Sequence, residues 1–406
     1  MKCSRAASTS GVRTARSLMR RYYHIIETML IGFDGNEANV KERVGVNQYA
    51  FDILWAIYRL REKGEIKHNL IVYLQNLPLT DLPKETNFFK YKVLPGGPLW
   101  VFRKLTPHLL FSKNKPDVLF NPTHYLPPIL TIPAVLTIHD LFYLENSGQF
   151  RKITFWQLKY WTARSVNISK SIIAVSNSTK KEIVRHYPKA SKKISVVLHG
   201  YDRERFNTAV PNEDVRRIKN KYTIVSDYLL YLGTLKPSKN VERLVEAFVG
   251  VKQQKPDIKL VIAGKKGWLF DEIFKKVQKL GLNDEIIFTD FLPEGDKPGL
   301  MAGAKVLVAP SLTEGFGMHA IEAMAVGTPV VVSKIDAFEE VVGDAGIFVD
   351  PQSIRSITEG INKVLKMSPD EYNRIVKRGL EHAANFSWEK AARETVAVLE
   401  AAADRT

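Results

Sequence analysis

One cysteine, Cys3, is all that 406 residues contain, so neither an internal disulfide nor a cysteine-based zinc site is possible within the chain. A reducing compartment, the cytoplasm, is the expected setting. No apolar run approaches the roughly 18–20 residues that cross a bilayer, and the longest, LPPILTIPAVLTI, is interrupted by prolines. That excludes an integral membrane protein of the helical kind. No Asp-x-Asp occurs anywhere, which removes a common carboxylate pattern for clamping a metal onto a diphosphate. Acidic residues are scarce in the first half of the chain. Lys and Arg outnumber Asp and Glu by six to one over residues 1–28 and by 25 to 13 over 29–203, but stand at 28 to 29 over 204–406. A basic first half attracts an anionic acceptor, an acidic lipid surface or nucleic acid. No nucleic-acid motif accompanies the charge, so nucleic acid is not an expected partner.

Residues 1–28, MKCSRAASTSGVRTARSLMRRYYHIIET, have no acid until Glu27 and imitate a mitochondrial transit peptide. The alternative is an upstream start codon, because Met29 opens LIGFDGNEANV, which reads as a first strand. On either account the tail stands outside the fold.

What is present is an ordinary globular composition, 45% apolar and 25% charged, in a chain long enough for two domains. β-branched runs alternate with amphipathic stretches: MLIGF, NQYAFDILWAIYRLREKG, NLIVYL, and later SIIAVS, NSTKKEIVRHY, ISVVL. This is the βαβ rhythm of a parallel sheet. It restarts at DYLLYLGT and continues through IKLVIAG, EIIFTDF, KVLVAPS and PVVVS. The polar stretch between Tyr201 and Tyr222 breaks the rhythm and marks a seam. The expected units are therefore 29–203, 204–385 and a closing helix over 386–406. Ligands of such sheets sit beyond the carboxyl ends of the strands, so two facing domains create a cleft.

The segment PSLTEGFGMHAIEAMAVGTPVVVS, Pro310 to Ser333, carries the strongest chemical signal. Glu314 ends one strand; Gly315, Phe316 and Gly317 follow, then a helix with Glu322 about one turn in. Glycines let backbone amides approach a ligand, and the helix start aims unpaired N–H groups at the same place. Such a site receives anions and hydroxyls. A carboxylate beside it accepts hydrogen bonds from a vicinal diol, each worth roughly 1.5–3 kcal/mol when charge-assisted. Ribose and hexose both offer that diol, so the segment reads as a nucleotide-sugar site.

The spacing of the two acids resembles the Glu-x7-Glu signature of retaining GT-B glycosyltransferases of family 4, the group 1 glycosyl transferases. The resemblance extends from about Met29 to the end through VGVNQY, LTIHDL, IIAVSNSTKKEI, VVLHGYD, LGTLKPSKN, VIAGKKGW, FTDFLP and FSWEKAA. It implies the GT-B fold, two Rossmann-like domains facing across a cleft, with the first binding the acceptor, the second the nucleotide sugar, and the closing helix packing back on the first. It implies transfer of a mannose- or glucose-type hexose from a GDP- or UDP-linked donor to a glycan or lipid-linked acceptor in cell-surface polysaccharide formation. It also implies independence of metal and of any other cofactor. An enzyme of this kind is expected in the cytoplasm, on the inner face of the plasma membrane where the basic, aromatic stretches LWVFRKL and FRKITFWQLKYW meet acidic lipid.

The resemblance also assigns roles. Lys239 in GTLKPSKN grips the diphosphate; a lysine at a helix start also calls for a negative group nearby. Glu322 holds the ribose hydroxyls, and Glu314 lies near the donor hexose with the amides of Phe316, Gly317 and Met318 around it. His139, ending the strand of LTIHDL, contacts the donor sugar near the reacting centre, with Asp140 as its orienter or a helix cap. His124 is a weaker candidate of the same type. Gly45 belongs to the loop that closes over the diphosphate or acceptor. Two departures stand out: Thr234 and Ser238 occupy positions where many relatives carry arginine, which leaves Lys236, Lys265 or Lys266 to supply a second cation. Met318 and His319 stand where leucine and proline are frequent. The catalytic set is thus His139, Glu314 and Lys239, within a donor site of Gly45, Thr234, Lys239, Glu314–Met318 and Glu322.

Two other readings compete. GFGMHA followed by Asp336 fits a dinucleotide fingerprint, although it comes late in its domain and SLTE separates it from the strand. A GT-B protein that binds nucleotide sugar without transferring it is the second.

Overall fold

The computed structural model describes residues 28–145, 152–267 and 270–404. The basic tail up to Glu27 lies outside the described residues. The first domain holds seven strands: β1 (Leu30–Asp34), β2 (Asn69–Leu74), β3 (Phe89–Val93), β4 (Val118–Asn121), β5 (Ala134–Ile138), β6 (Ser171–Ala174) and β7 (Ile194–Val196). They form one parallel sheet in the order β3-β2-β1-β4-β5-β6-β7. The second holds β8 (Tyr228–Leu232), β9 (Lys259–Ala263), β10 (Ile286–Asp290), β11 (Val306–Ala309), β12 (Val330–Ser333) and β13 (Ile347–Val349), parallel in the order β10-β9-β8-β11-β12-β13. Strands such as AVLTI of β5 and VLVA of β11 are buried along their whole length, as expected where helices cover both faces. Strand order reverses beside β1 in one sheet and β8 in the other, and crevices open at such points.

The chain crosses between the domains twice. After β7 it passes into the second domain, and at Ser387 it returns as the helix Trp388–Ala403. Trp388, Ala391, Ala392, Val396, Leu399 and Ala402 of that helix recur at helical spacing and join the first domain's core beside Ile53, Leu54 and Ile57 of the helix Val46–Glu62. The two crossings touch: a Cβ on Gly200 would lie 2.1 Å from the Trp388 amide nitrogen.

The polar seam belongs in part to the second domain. Part of it, Asn212–Lys221, is a helix whose Ile218 is buried in the second core, and Arg217 and Lys221 both bond the Asp296 carboxylate. Its polarity reflects one solvated face, with few apolar residues needed on a ten-residue helix.

The domains are in contact across the cleft. Ser176 Oγ donates to the Gly315 carbonyl (2.7 Å), Asn177 donates through its amide and side chain to Glu340 (2.8 and 2.7 Å), and Lys181 pairs with Asp336 (2.6 Å). On the opposite lip Lys265 pairs with Glu42 (2.9 Å).

Candidate functional site

A cavity of about 490 Å³ lies between the carboxyl ends of the two sheets. The first domain contributes Gly45, at the start of Val46–Glu62, and His139, the residue after β5. The second contributes Thr234 and Lys239 from the loop after β8, Glu314 through Met318 from the loop after β11, and Glu322. Every residue singled out for the donor site therefore lines one space.

The glycine loop owes its path to two glycines. Gly317, at φ 93°, caps the helix Met318–Ala325, and a Cβ there would meet the Phe338 ring at 2.6 Å. Gly315 lies so near the first domain that a Cβ would sit 1.9 Å from the His139 carbonyl oxygen. Gly317, Met318 and His319, at the start of this helix, line the cavity, at the end of a helix where backbone N–H groups lack intrahelical acceptors.

Glu314 and Lys239 form an ion pair of 2.6 Å, the carboxylate 7% and the lysine 16% exposed, and Ser311 Oγ donates to the same carboxylate at 2.9 Å. Burial alone would raise the Glu314 pKa, but Lys239, His319 and Ser311 together outweigh it and hold it at about 2. Glu314 is the negative group that a lysine at this helix start calls for. His319, also in the cavity, is held by burial at about 4 and is neutral.

Glu322 is 5% exposed, and burial pushes its pKa up against the pull of Lys297. Lys297 lines the cavity and is ion-paired with Glu294. Sequence reasoning missed it; the only signal was a lysine shortly after the β10 strand end in FLPEGDKPGL.

Lys236 and Lys265 both reach the cavity, whereas Lys266 pairs with Asp290 at 3.1 Å outside it. Burial and the neighbouring Lys239 push the Lys236 pKa down. Ser238 is 2% exposed and its carbonyl accepts the Leu312 amide, so this position is enclosed.

His139 Nε2 donates to the Pro122 carbonyl (2.9 Å), which fixes the ring, and burial lowers its pKa. Asp140 does not orient it: the carboxylate accepts the Phe142 amide at 3.2 Å, a cap on Phe142–Glu145. His124 does not line the cavity; it is half-buried against Tyr125, with ring centroids 4.1 Å apart, and its pKa is held near 4 by burial. Another histidine went unpredicted. His199 of VVLHGYD lines the cavity between Tyr49 (4.6 Å) and Phe316 (4.5 Å), with neither ring nitrogen hydrogen-bonded.

The profile of the group 1 glycosyl transferases matches residues 214–382, and that of glycosyltransferase family 4 matches residues 65–205. The chain belongs to the group 1, family 4 glycosyltransferases. The O-antigen chain mannosyltransferase B of Escherichia coli is 27% identical over 368 residues, spanning 87% of this chain and 94% of the relative. Sucrose-phosphate synthase from Thermosynechococcus elongatus superposes with a TM-score of 0.71 at 21% identity, covering 91% and 98% of the two chains. Anabaena HepE in complex with UDP-glucose gives 0.71 at 19%, covering 92% and 100%. These likenesses establish the GT-B fold.

In this glycosyltransferase the cavity brings lysines and buried carboxylates together, Lys239 beside Glu314 and Lys297 near Glu322, a lining able to meet both anionic and hydroxyl-bearing groups. The dinucleotide reading finds no support in the geometry, since Asp336 is engaged with Lys181 and lies outside the cavity. No helix among the described residues is long and apolar enough to cross a membrane.

Proposed function

We propose that the enzyme is a retaining hexosyltransferase that moves a mannose- or glucose-type unit from a GDP- or UDP-linked donor to a glycan or lipid-linked acceptor in cell-surface polysaccharide formation, without a metal. The observation that carries the reading is the convergence of Lys239, Glu314, residues Gly315–Met318 and Glu322 on one cavity at the domain junction. Lys239, with Lys236 and Lys265 near it, neutralises the leaving diphosphate. Glu322 accepts the ribose hydroxyls. Glu314, ionised and fixed by Lys239 and Ser311, orients the donor hexose, while neutral His139 contacts it near the anomeric carbon. Transfer then proceeds on the front face, the departing phosphate taking the proton of the incoming hydroxyl. The likeness to an O-antigen mannosyltransferase supports mannose and polysaccharide formation, and the UDP-glucose complex of HepE keeps a uridine donor in view.

Thermal shift with GDP, UDP, ADP and NAD tests the reading. At about a hundred times the dissociation constant, one nucleoside diphosphate is expected to stabilise the protein by roughly 2.7 kcal/mol. Glu322→Ala should abolish that shift. A response to NAD alone, or to none of the four, refutes the donor assignment.

The same reading places the enzyme on the inner face of an anionic membrane. On the helix Lys152–Ile168, Ile153, Trp156 and Tyr160 follow one another at helical spacing and are 75%, 61% and 69% exposed, with the Lys159 ammonium 5.1 Å from the Trp156 ring. Co-sedimentation with liposomes containing anionic lipid is expected at low salt and should fall with Trp156→Ala/Tyr160→Ala. Binding indifferent to lipid charge would exclude this placement.

A further inference from the structure

A second cavity of about 480 Å³ opens within the first domain. We propose that it is a subsite for neutral pyranose rings of the acceptor glycan, with Trp161 and Tyr125 as its stacking wall and Asp34, Asn121 and Thr123 as its hydroxyl-reading floor. This rests on the transferase reading above and specifies its acceptor.

The floor is built from strand ends. Asp34 closes β1 and Asn121 closes β4, beside the point where strand order reverses. Asp34, Asn121 and Thr123 are 7%, 2% and 6% exposed, and each is held in place. Asp34 Oδ1 accepts from the amide and side chain of Asn36 (3.3 and 2.9 Å), and its Oδ2 accepts from Asn121 Nδ2 (3.1 Å). Asn121 Nδ2 also donates to the Tyr125 carbonyl (2.6 Å), and its Oδ1 accepts the amide and hydroxyl of Thr123 (2.8 and 2.7 Å). An ionised carboxylate has about four acceptor sites, so these three donors leave capacity for a ligand hydroxyl, as does the Thr123 oxygen. The buried network is therefore rigid and incompletely used.

The opposite wall is aromatic. The Trp161 ring packs on Phe102 at 4.9 Å and on Tyr125 at 5.7 Å. A ligand that suits both walls carries hydroxyls on one edge and C–H groups on a face, which describes a pyranose. Charge narrows the choice further. The first domain is strongly basic, yet Asp34 and Glu37 line this cavity and no Lys, Arg or His does. Phosphates, nucleotides and acidic headgroups are repelled there.

Two further observations point to function. The rim residue Leu99 is held at φ 63°, and the wall then continues as a π-helical turn, Val101–Leu105. Strained non-glycine backbone and π-turns are both concentrated at functional sites. Glu37 lines this cavity and the donor cavity alike, its carboxylate held by Asn47 Nδ2 at 2.5 Å. A ring seated on Trp161 thus belongs to a glycan whose next hydroxyl reaches the donor past Glu37.

Saturation-transfer NMR on the full chain with methyl pyranosides of mannose, glucose, galactose and rhamnose tests the assignment, run beside the nucleotide thermal shift. At least one neutral glycoside is expected to bind, and Trp161→Ala and Asp34→Asn should each weaken it by about tenfold or more. Both variants should keep the wild-type nucleotide shift, which also shows that they fold. Glycoside binding undiminished in both, or no glycoside bound by protein that does bind nucleotide, overturns the subsite. Glycoside binding lost in the variants without any nucleotide shift in the wild type would leave the subsite standing and remove the donor assignment instead.

Discussion

Lys239→Ala is expected to lower kcat/KM by about 10²–10³ or more, the loss found when one charge-stabilising donor is removed from a transition state. The effect has two parts. The ammonium no longer meets the leaving diphosphate, and Glu314, 7% exposed, is left without its cation. Burial then dominates, and the carboxyl pKa climbs from about 2 towards or above its ordinary value. Breaking a buried pair from one side costs about 3–5 kcal/mol, so the melting temperature should fall as well. The double variant Lys239→Ala/Glu314→Gln tests the stability part: it should regain the melting temperature lost in Lys239→Ala. A double variant no more stable than Lys239→Ala would show that the unpaired Glu314 carboxylate is not what destabilises it.

Gly315→Ala is expected to cost about 10² in kcat while leaving the nucleotide-induced shift nearly intact. The added methyl would lie 1.9 Å from the His139 carbonyl, so the two domains must part by an ångström or more before it fits. Misplacement on that scale is enough for such a loss when two reactants are delivered from opposite walls. Most of the proposed nucleotide-binding residues, Lys239 and Glu322 among them, belong to the second domain and are not displaced by its parting from the first. Small-angle scattering should report a larger radius of gyration than the wild type under the same conditions. An unchanged radius with full activity would mean that the observed contact is not the catalytically closed one.

The lining that the second domain gives the candidate site was legible because its residues are nearly contiguous. Glu314, the two glycines and Glu322 fall within nine residues, and the local strand-turn-helix path is enough to bring them to one place. Lys239 and His139 were readable for a related reason, since each follows a parallel strand and strand ends converge. Residues recruited through tertiary packing were not. Lys297 looks like any solvated lysine until Glu294 and Glu322 are found beside it, and His199 looks like a turn residue until Tyr49 and Phe316 close on it. The glycan floor draws on residues 34, 121 and 123 and its wall on 161, with no sequence motif joining them. The short helix Asn212–Lys221 within the seam went unread because one buried isoleucine gives too little periodicity to stand out.

The return of Trp388–Ala403 to the first domain bears on how the protein is made. The first domain's core lacks six of its apolar residues until the whole second domain has left the ribosome. At roughly 5–20 residues per second that is a wait of about ten seconds or more for the nearly two hundred residues between β7 and this helix. During synthesis, then, the domain that starts first finishes last.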